Sequence, residues 1–186
     1  TIPLYGKPEA AAVDGKGNLY VNIENKSTIC RINTKTLKVE QKWPVAPGNE
    51  PTGLAIDVAG NRLFSVCRNK LMIIMDAQTG KVIGSVPIGE RADGAGFDPV
   101  KKLAYSSNGD GTLTIVQETA NGKYTVLETV PTQQGARTMA VDTKTHHLFL
   151  PAVEFGPVPK PTAANPKPRP LVKDGSFMIL DLEPLN

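Results

Sequence analysis

The chain has 186 residues, enough for one domain with a sizeable core or for two small ones. A hydrophobic content of 40% and a charged content of 21% are those of a folded globular protein, and no apolar run is long enough to span a bilayer. The formal net charge of +3 is small and its charges are interspersed, which argues against a specific nucleic-acid partner.

At the start of the chain, TIPLYGKPE matches SVPIGERAD at Ser85–Asp93, so Thr1–Leu4 read as the tail of an outermost strand belonging to a preceding unit. The first residue is not Met and no signal-like apolar run follows it, which fits a processed or truncated product. Four related segments then succeed one another: AAAVDGKGNLYV, GLAIDVAGNRLFS, GAGFDPVKKLAYS and TMAVDTKTHHLFL. Their anchors Asp14, Asp57, Asp98 and Asp142 recur at roughly 40–45 residues, the size of one propeller blade. Each unit offers a small-residue strand, a polar turn, an apolar strand, a polar loop and a third strand. In the first three units a fourth strand follows, as KVEQKWPV, KVIGSVPIG and YTVLETVPT. Short alternating strands without helical periodicity predict an all-β fold, a single β-propeller domain or segment with about four blades of four antiparallel strands. The blade units cover about 8–50, 51–91, 92–135 and 136–186. The last departs from the pattern, because GSFMILDLEPLN stops where an outermost strand should begin.

Within each first strand, one face is small: Ala10 and Ala12, Gly53 and Ala55, Gly94 and Gly96, Thr138 and Ala140. Innermost strands have least room between blades, so this face is expected where neighbours crowd. The opposite face carries Ala11 and Val13, Leu54 and Ile56, Ala95 and Phe97, Met139 and Val141, and reads as core. The four anchor aspartates are suited to hydrogen-bond the backbone two residues on and so to hold a turn. Cys30 and Cys67 fit neither a disulfide framework nor a metal spacing and read as buried free thiols.

The YVN of Tyr20–Asn22, SSNGDGTLTIV at Ser106–Val116, MDAQTGKVIGSVPIG at Met75–Gly89 and the recurring small-residue strand before Asp resemble YVTN repeats. They are similar to those of YncE-like bacterial propellers, over nearly the whole chain apart from one proline-rich insert. The resemblance implies a larger ring of the seven-bladed type, a periplasmic or secreted location, and a family in which most members have no assigned reaction. The ends allow three arrangements: Thr1–Leu4 closing a four-bladed ring against Ser176–Leu182, membership in a larger ring, or assembly of two chains into eight blades. The family's usual blade number favours the larger ring. Open blade edges would then promote self-association.

In propellers, the loops between blades and those joining second to third strands gather at one mouth of the channel. Here that mouth is expected to carry Glu9, Thr52, Asp93 and Arg137, with Lys7, Glu50 and Arg91 two residues earlier. The second set of loops adds Asn22, Glu24 and Asn25, Arg68 and Asn69, Asn108 and Asp110, and Glu154. No cofactor is expected, although Glu9, Asp93 and asparagines such as Asn22 or Asn108 carry the oxygen ligands that a hard cation such as calcium prefers. Arg137 in the same column favours a ring of ion pairs instead. His146 and His147 are adjacent on a strand, point to opposite faces, and so do not share a metal; they are expected to serve the turn. No catalytic constellation or phosphate loop occurs, and SNGDGT reads as a tight turn.

Prolines at 157, 159, 161, 166, 168 and 170 make residues 156–173 an extended insert projecting from the same mouth, basic through Lys160, Lys167, Arg169 and Lys173. These features favour a non-enzymatic binding or scaffold module for a small ligand or protein partner. The alternative is a calcium-dependent lactonase-like propeller enzyme. A quinoprotein-like electron-transfer propeller is disfavoured, since Trp43 is the only tryptophan.

Overall fold

A computed structural model describes residues 1–183; positions 184–186, the end of the fourth unit, lie outside the described residues. Blade 1 comprises β1 (Pro8–Val13), β2 (Asn18–Ile23), β3 (Thr28–Asn33) and β4 (Lys38–Pro44). Blade 2 comprises β5 (Pro51–Asp57), β6 (Arg62–Cys67), β7 (Leu71–Asp76) and β8 (Val82–Pro87). Blade 3 comprises β9 (Ala92–Asp98), β10 (Leu103–Asn108), β11 (Thr112–Glu118) and β12 (Tyr124–Pro131). Blade 4 has β13 (Ala140–Val141), β14 (Leu148–Ala152) and β15 (Met178–Leu182). Every sheet is an antiparallel meander in sequence order. Consecutive blades touch through their first strands, β1 against β5, β5 against β9 and β9 against β13.

The anchor aspartates set this repetition. Asp14 Oδ1 accepts from the Lys16 amide at 2.7 Å, Asp57 Oδ1 from Ala59 at 3.0 Å, Asp98 Oδ1 from Val100 at 2.8 Å and Asp142 Oδ1 from Lys144 at 2.9 Å. Each turn then passes through a left-handed residue, Gly17, Asn61, Lys102 or His146, before the second strand begins. The hairpins are in one register, with Val13 opposite Leu19, Ile56 opposite Leu63, Phe97 opposite Ala104 and Val141 opposite Leu148.

Side chains alternate between a leading face, towards the preceding blade, and a trailing face, towards the next. Between blades 1 and 2, Tyr20, Ile29 and Trp43 pack on Leu54, Leu63, Cys67, Ile73 and Met75. Between blades 2 and 3, Phe64, Val66, Met72 and Ile74 meet Ala104, Val116 and Phe97, with the Phe64 and Phe97 rings stacked at 5.2 Å. Between blades 3 and 4, Tyr105 and Leu113 meet Leu148, Leu150 and Ala152. The small face of each first strand is turned to the next blade: a Cβ on Gly53 would stand 2.6 Å from the Ala95 nitrogen. Only glycine lets those two backbones approach so closely.

The outer faces correct one expectation, set aside one of the three arrangements of the ends and agree with the early stop of the fourth unit. Val13 is 58% exposed and Ala11 is exposed rather than core, because no blade lies against that face of β1. Thr1–Leu4 forms no strand with β15; Ile2 and Leu4 instead pack on Val21, Ile23, Cys30 and Ile32 of blade 1. Blade 4 has three strands among the described residues, and its third strand leaves Phe177 beside it 68% exposed and Ile179 50% exposed. The four blades therefore form an open arc. Cys30 and Cys67 are free and buried, and burial pushes the Cys67 thiol up to about 12.

Candidate functional site

The loops at one end of the arc carry the polar residues singled out above, and most are already engaged. Glu24 sits in the short 3-10 turn Glu24–Lys26 after β2, buried between the Lys7 ammonium and the Arg68 guanidinium, whose Nε lies 2.7 Å from its Oε1. Lys7 also reaches Glu9 at 2.7 Å. The bond from Lys7 holds the Glu24 carboxyl below the usual carboxylate range, and the same contact raises Lys7. Further round, Arg137 Nε faces Asp93 at 3.5 Å, Lys70 faces Glu90 at 2.7 Å, and Lys173 faces Glu154 at 2.8 Å. Asp110 accepts from the Glu90 amide at 2.6 Å and from the Thr112 hydroxyl at 2.7 Å.

The structure thus brings Glu9, Glu24 and Arg68 into one charged cluster through Lys7, with Asn25 accepting from the Lys7 amide at 2.8 Å. It does not bring Glu9 and Asp93 together with a third ligand: among the described residues, no three His, Cys, Asp or Glu side chains converge on a common point. Glu50 is exposed, and its amide donates to the Ser27 hydroxyl. Asn69 stitches loops, accepting from the Asn49 amide and donating to the Pro47 carbonyl, both at 3.0 Å.

Asn22 and Asn108 are fully buried, which corrects the expectation that they are open to a ligand at the mouth. Asn22 Nδ2 donates to the Thr52 and Gly53 carbonyls at 3.0 Å, and its Oδ1 accepts from Ser65 at 3.1 Å, so it ties blade 1 to blade 2. Asn108 stays within blade 3, donating to Thr112 and Thr114 and accepting from Ser106 at 2.8 Å. Buried amides persist where every donor and acceptor is satisfied, and these are.

A contact that the sequence reading missed lies at the opposite end. His146 Nδ1 is 2.6 Å from Asp98 Oδ2, joining the hairpin of blade 4 to the anchor of blade 3. Burial pushes the Asp98 carboxyl up, but bonds from the Lys101 amide and His146 outweigh it and leave the group below the usual range. Lys102 stands in the same turn position of blade 3 and approaches Asp57 of blade 2 at 4.0 Å. The signal was there: basic residues in one column, one blade beyond an anchor aspartate. His147 turns away to Asp181 at 2.7 Å, as opposed faces require.

The insert leaves blade 4 between β14 and β15. A single bridge between Phe155 and Val172 closes its neck, the Gly156 amide donates to the Leu171 carbonyl at 2.8 Å, and Phe155 lies over Gly135 in the loop between blades 3 and 4. Beyond the neck its residues are almost all exposed. Lys160, Lys167 and Arg169 form no ion pair among the described residues.

Four-stranded antiparallel meanders packed face to face and meeting through their first strands define a β-propeller. No family model matches the chain, and no curated protein matches it. Among solved structures, it superposes on hydrazine synthase of Kuenenia stuttgartiensis with a TM-score of 0.71 at 16% identity, over 81% of this chain and 43% of that one. The WD40 propeller domain of Doa1 gives 0.63 at 16% identity, over 77% of this chain and 47% of that one. A functionally unknown protein from Desulfotomaculum acetoxidans DSM 771 gives 0.65 at 15% identity, over 80% and 51%. The likeness is one of fold. The chain spans about half the length of these structures, as part of a larger ring would.

Proposed function

We propose that this chain is a non-enzymatic binding module of a YVTN-repeat, YncE-like bacterial propeller, exported from the cytoplasm, that holds an anionic protein partner with its proline-rich arm and polar mouth. The observation that carries this reading is the arm: residues 156–173 hold four cations and no carboxylate, and three of those cations are unpaired among the described residues. Six prolines fix much of its backbone in advance, so docking costs little ordering entropy. The mouth supports the same reading, since Glu9, Glu24, Asp93 and Glu154 each already face a cation.

Poly-glutamate serves as the probe. It is expected to bind the chain in a salt-sensitive manner, and Lys160→Gln, Lys167→Gln and Arg169→Gln together are expected to abolish that binding while leaving the fold intact. Unchanged binding by the triple variant overturns the proposal. Calcium titration tests the rival lactonase-like reading: a marked thermal stabilisation by calcium, lost in Glu9→Gln or Asp93→Asn, would replace the binding-module reading with that of a calcium-dependent enzyme.

A further inference from the structure

The two outer faces of the arc are complementary in strand content and in register. The outer edge of β15 is unpaired among the described residues, and Phe177 and Ile179 are half or more exposed along it. An exposed apolar edge of this kind is a template for another strand. At the other end, Thr1–Leu4 lies on blade 1 as an outer strand of a preceding blade would. Ile2 and Leu4 cover Val21, Ile23, Cys30 and Ile32, just as Val86 and Ile88 of blade 2 are buried where it meets blade 3.

Blade 2 supplies the register. There Leu71 lies opposite Pro87 and Met72 opposite Val86. Met178 and Ile179 occupy the places of Leu71 and Met72, because Ala152 faces Met178 as Cys67 faces Leu71. Ile2-Pro3-Leu4 repeats Val86-Pro87-Ile88. Transferring the pairing sets Pro3 opposite Met178, Ile2 opposite Ile179 and Leu4 opposite Phe177. The proline falls where β8 already tolerates one. We propose that a second copy of this chain docks head to tail, with Thr1–Leu4 of one copy adding a strand along the outer edge of β15 in blade 4 of the other. Thr1–Leu4 is already in place for this and need not leave blade 1. The same contact covers the trailing face of blade 4, where Phe149, Pro151 and Ile179 stand in the columns of the buried Phe64, Val66 and Met72.

Sedimentation equilibrium of the 186-residue chain is expected to give twice its 19.9 kDa mass, or a longer head-to-tail series. Ile179→Lys is expected to return it to a monomer with an unchanged circular dichroism spectrum, since the side chain is half exposed in the single chain. Under oxidation, Ile2→Cys with Ile179→Cys is expected to form an interchain disulfide, and Leu4→Cys with Asp181→Cys, four residues out of register, is not. The native thiols are buried and leave the readout clean. A monomer at all concentrations overturns the proposal, and so does an assembly that survives Ile179→Lys or fails to cross-link in register.

Discussion

The contact between blades 2 and 3 and the outer face of blade 4 use the same columns of the repeat under opposite conditions. Met72 is 0% exposed between blades 2 and 3, whereas Ile179, in the same column of blade 4, is 50% exposed. Ile56 packs into the contact between blades 1 and 2, whereas Val13 in its column is 58% exposed. The apolar pattern therefore belongs to the repeat, but the burial belongs to the neighbour. In such a quasi-linear array each unit is stabilised by the next, and terminal units are the least stable.

The largest effect is expected where this difference is greatest. Met72→Ala removes side-chain atoms packed on all sides and should cost about 2–5 kcal/mol in urea unfolding. Ile179→Ala should cost about 1 kcal/mol or less in the dissociated chain, since half of that side chain gains nothing by folding. Equal losses would mean that burial in this column does not depend on the neighbouring blade. A smaller effect is expected of Asn22→Ala, which strands the Thr52 and Gly53 carbonyls and the Ser65 hydroxyl at a buried contact, costing about 1–3 kcal/mol. Asn25→Ala, on an exposed loop, should stay within about 0.5 kcal/mol.

What could be read from the sequence was local. The blade period, the strand order and the turn role of Asp14, Asp57, Asp98 and Asp142 all follow from bonds spanning a few residues and from side-chain alternation. The Thr1–Leu4 segment and its kinship with Val86-Pro87-Ile88 were also legible, since the match lies in adjacent residues. The site was not. Asn22 and Asn25 are the same residue type three positions apart, and only a carbonyl 30 residues away decides that one is a buried tie and the other a loop residue. Glu24 read as an open residue of the mouth loops because Arg68, on the next blade, closes over it only in the assembled arc. The bond from His146 to Asp98 spans 48 residues and crosses between blades, so neither turn alone betrays it.

That bond gives the next prediction. His146→Asn installs the residue that blade 2 carries at Asn61, keeps a side chain that tolerates the left-handed backbone, and deletes the imidazole. The loss should be about 1–2 kcal/mol near neutral pH. Because the folded Asp98 carboxyl lies below its ordinary 3.8, its contribution is present above that value and is lost as pH falls through the folded one. The gap between parent and variant should accordingly be full above about pH 5 and should shrink in stronger acid. A gap that widened in acid would remove Asp98 as the partner that matters.

The smallest effect is the most diagnostic of context. Val13→Ser exchanges an exposed apolar side chain for a polar one and should change stability by no more than about 0.5 kcal/mol in the dissociated chain. Ile56→Ser, in the same column, removes a side chain packed against blade 1 and should cost several times as much. If β1 is covered when copies associate, the cost of Val13→Ser must grow with protein concentration, while that of Ile56→Ser stays constant. Val13 would then behave as core only when a neighbour is present, which is the condition that every blade contact in this fold obeys.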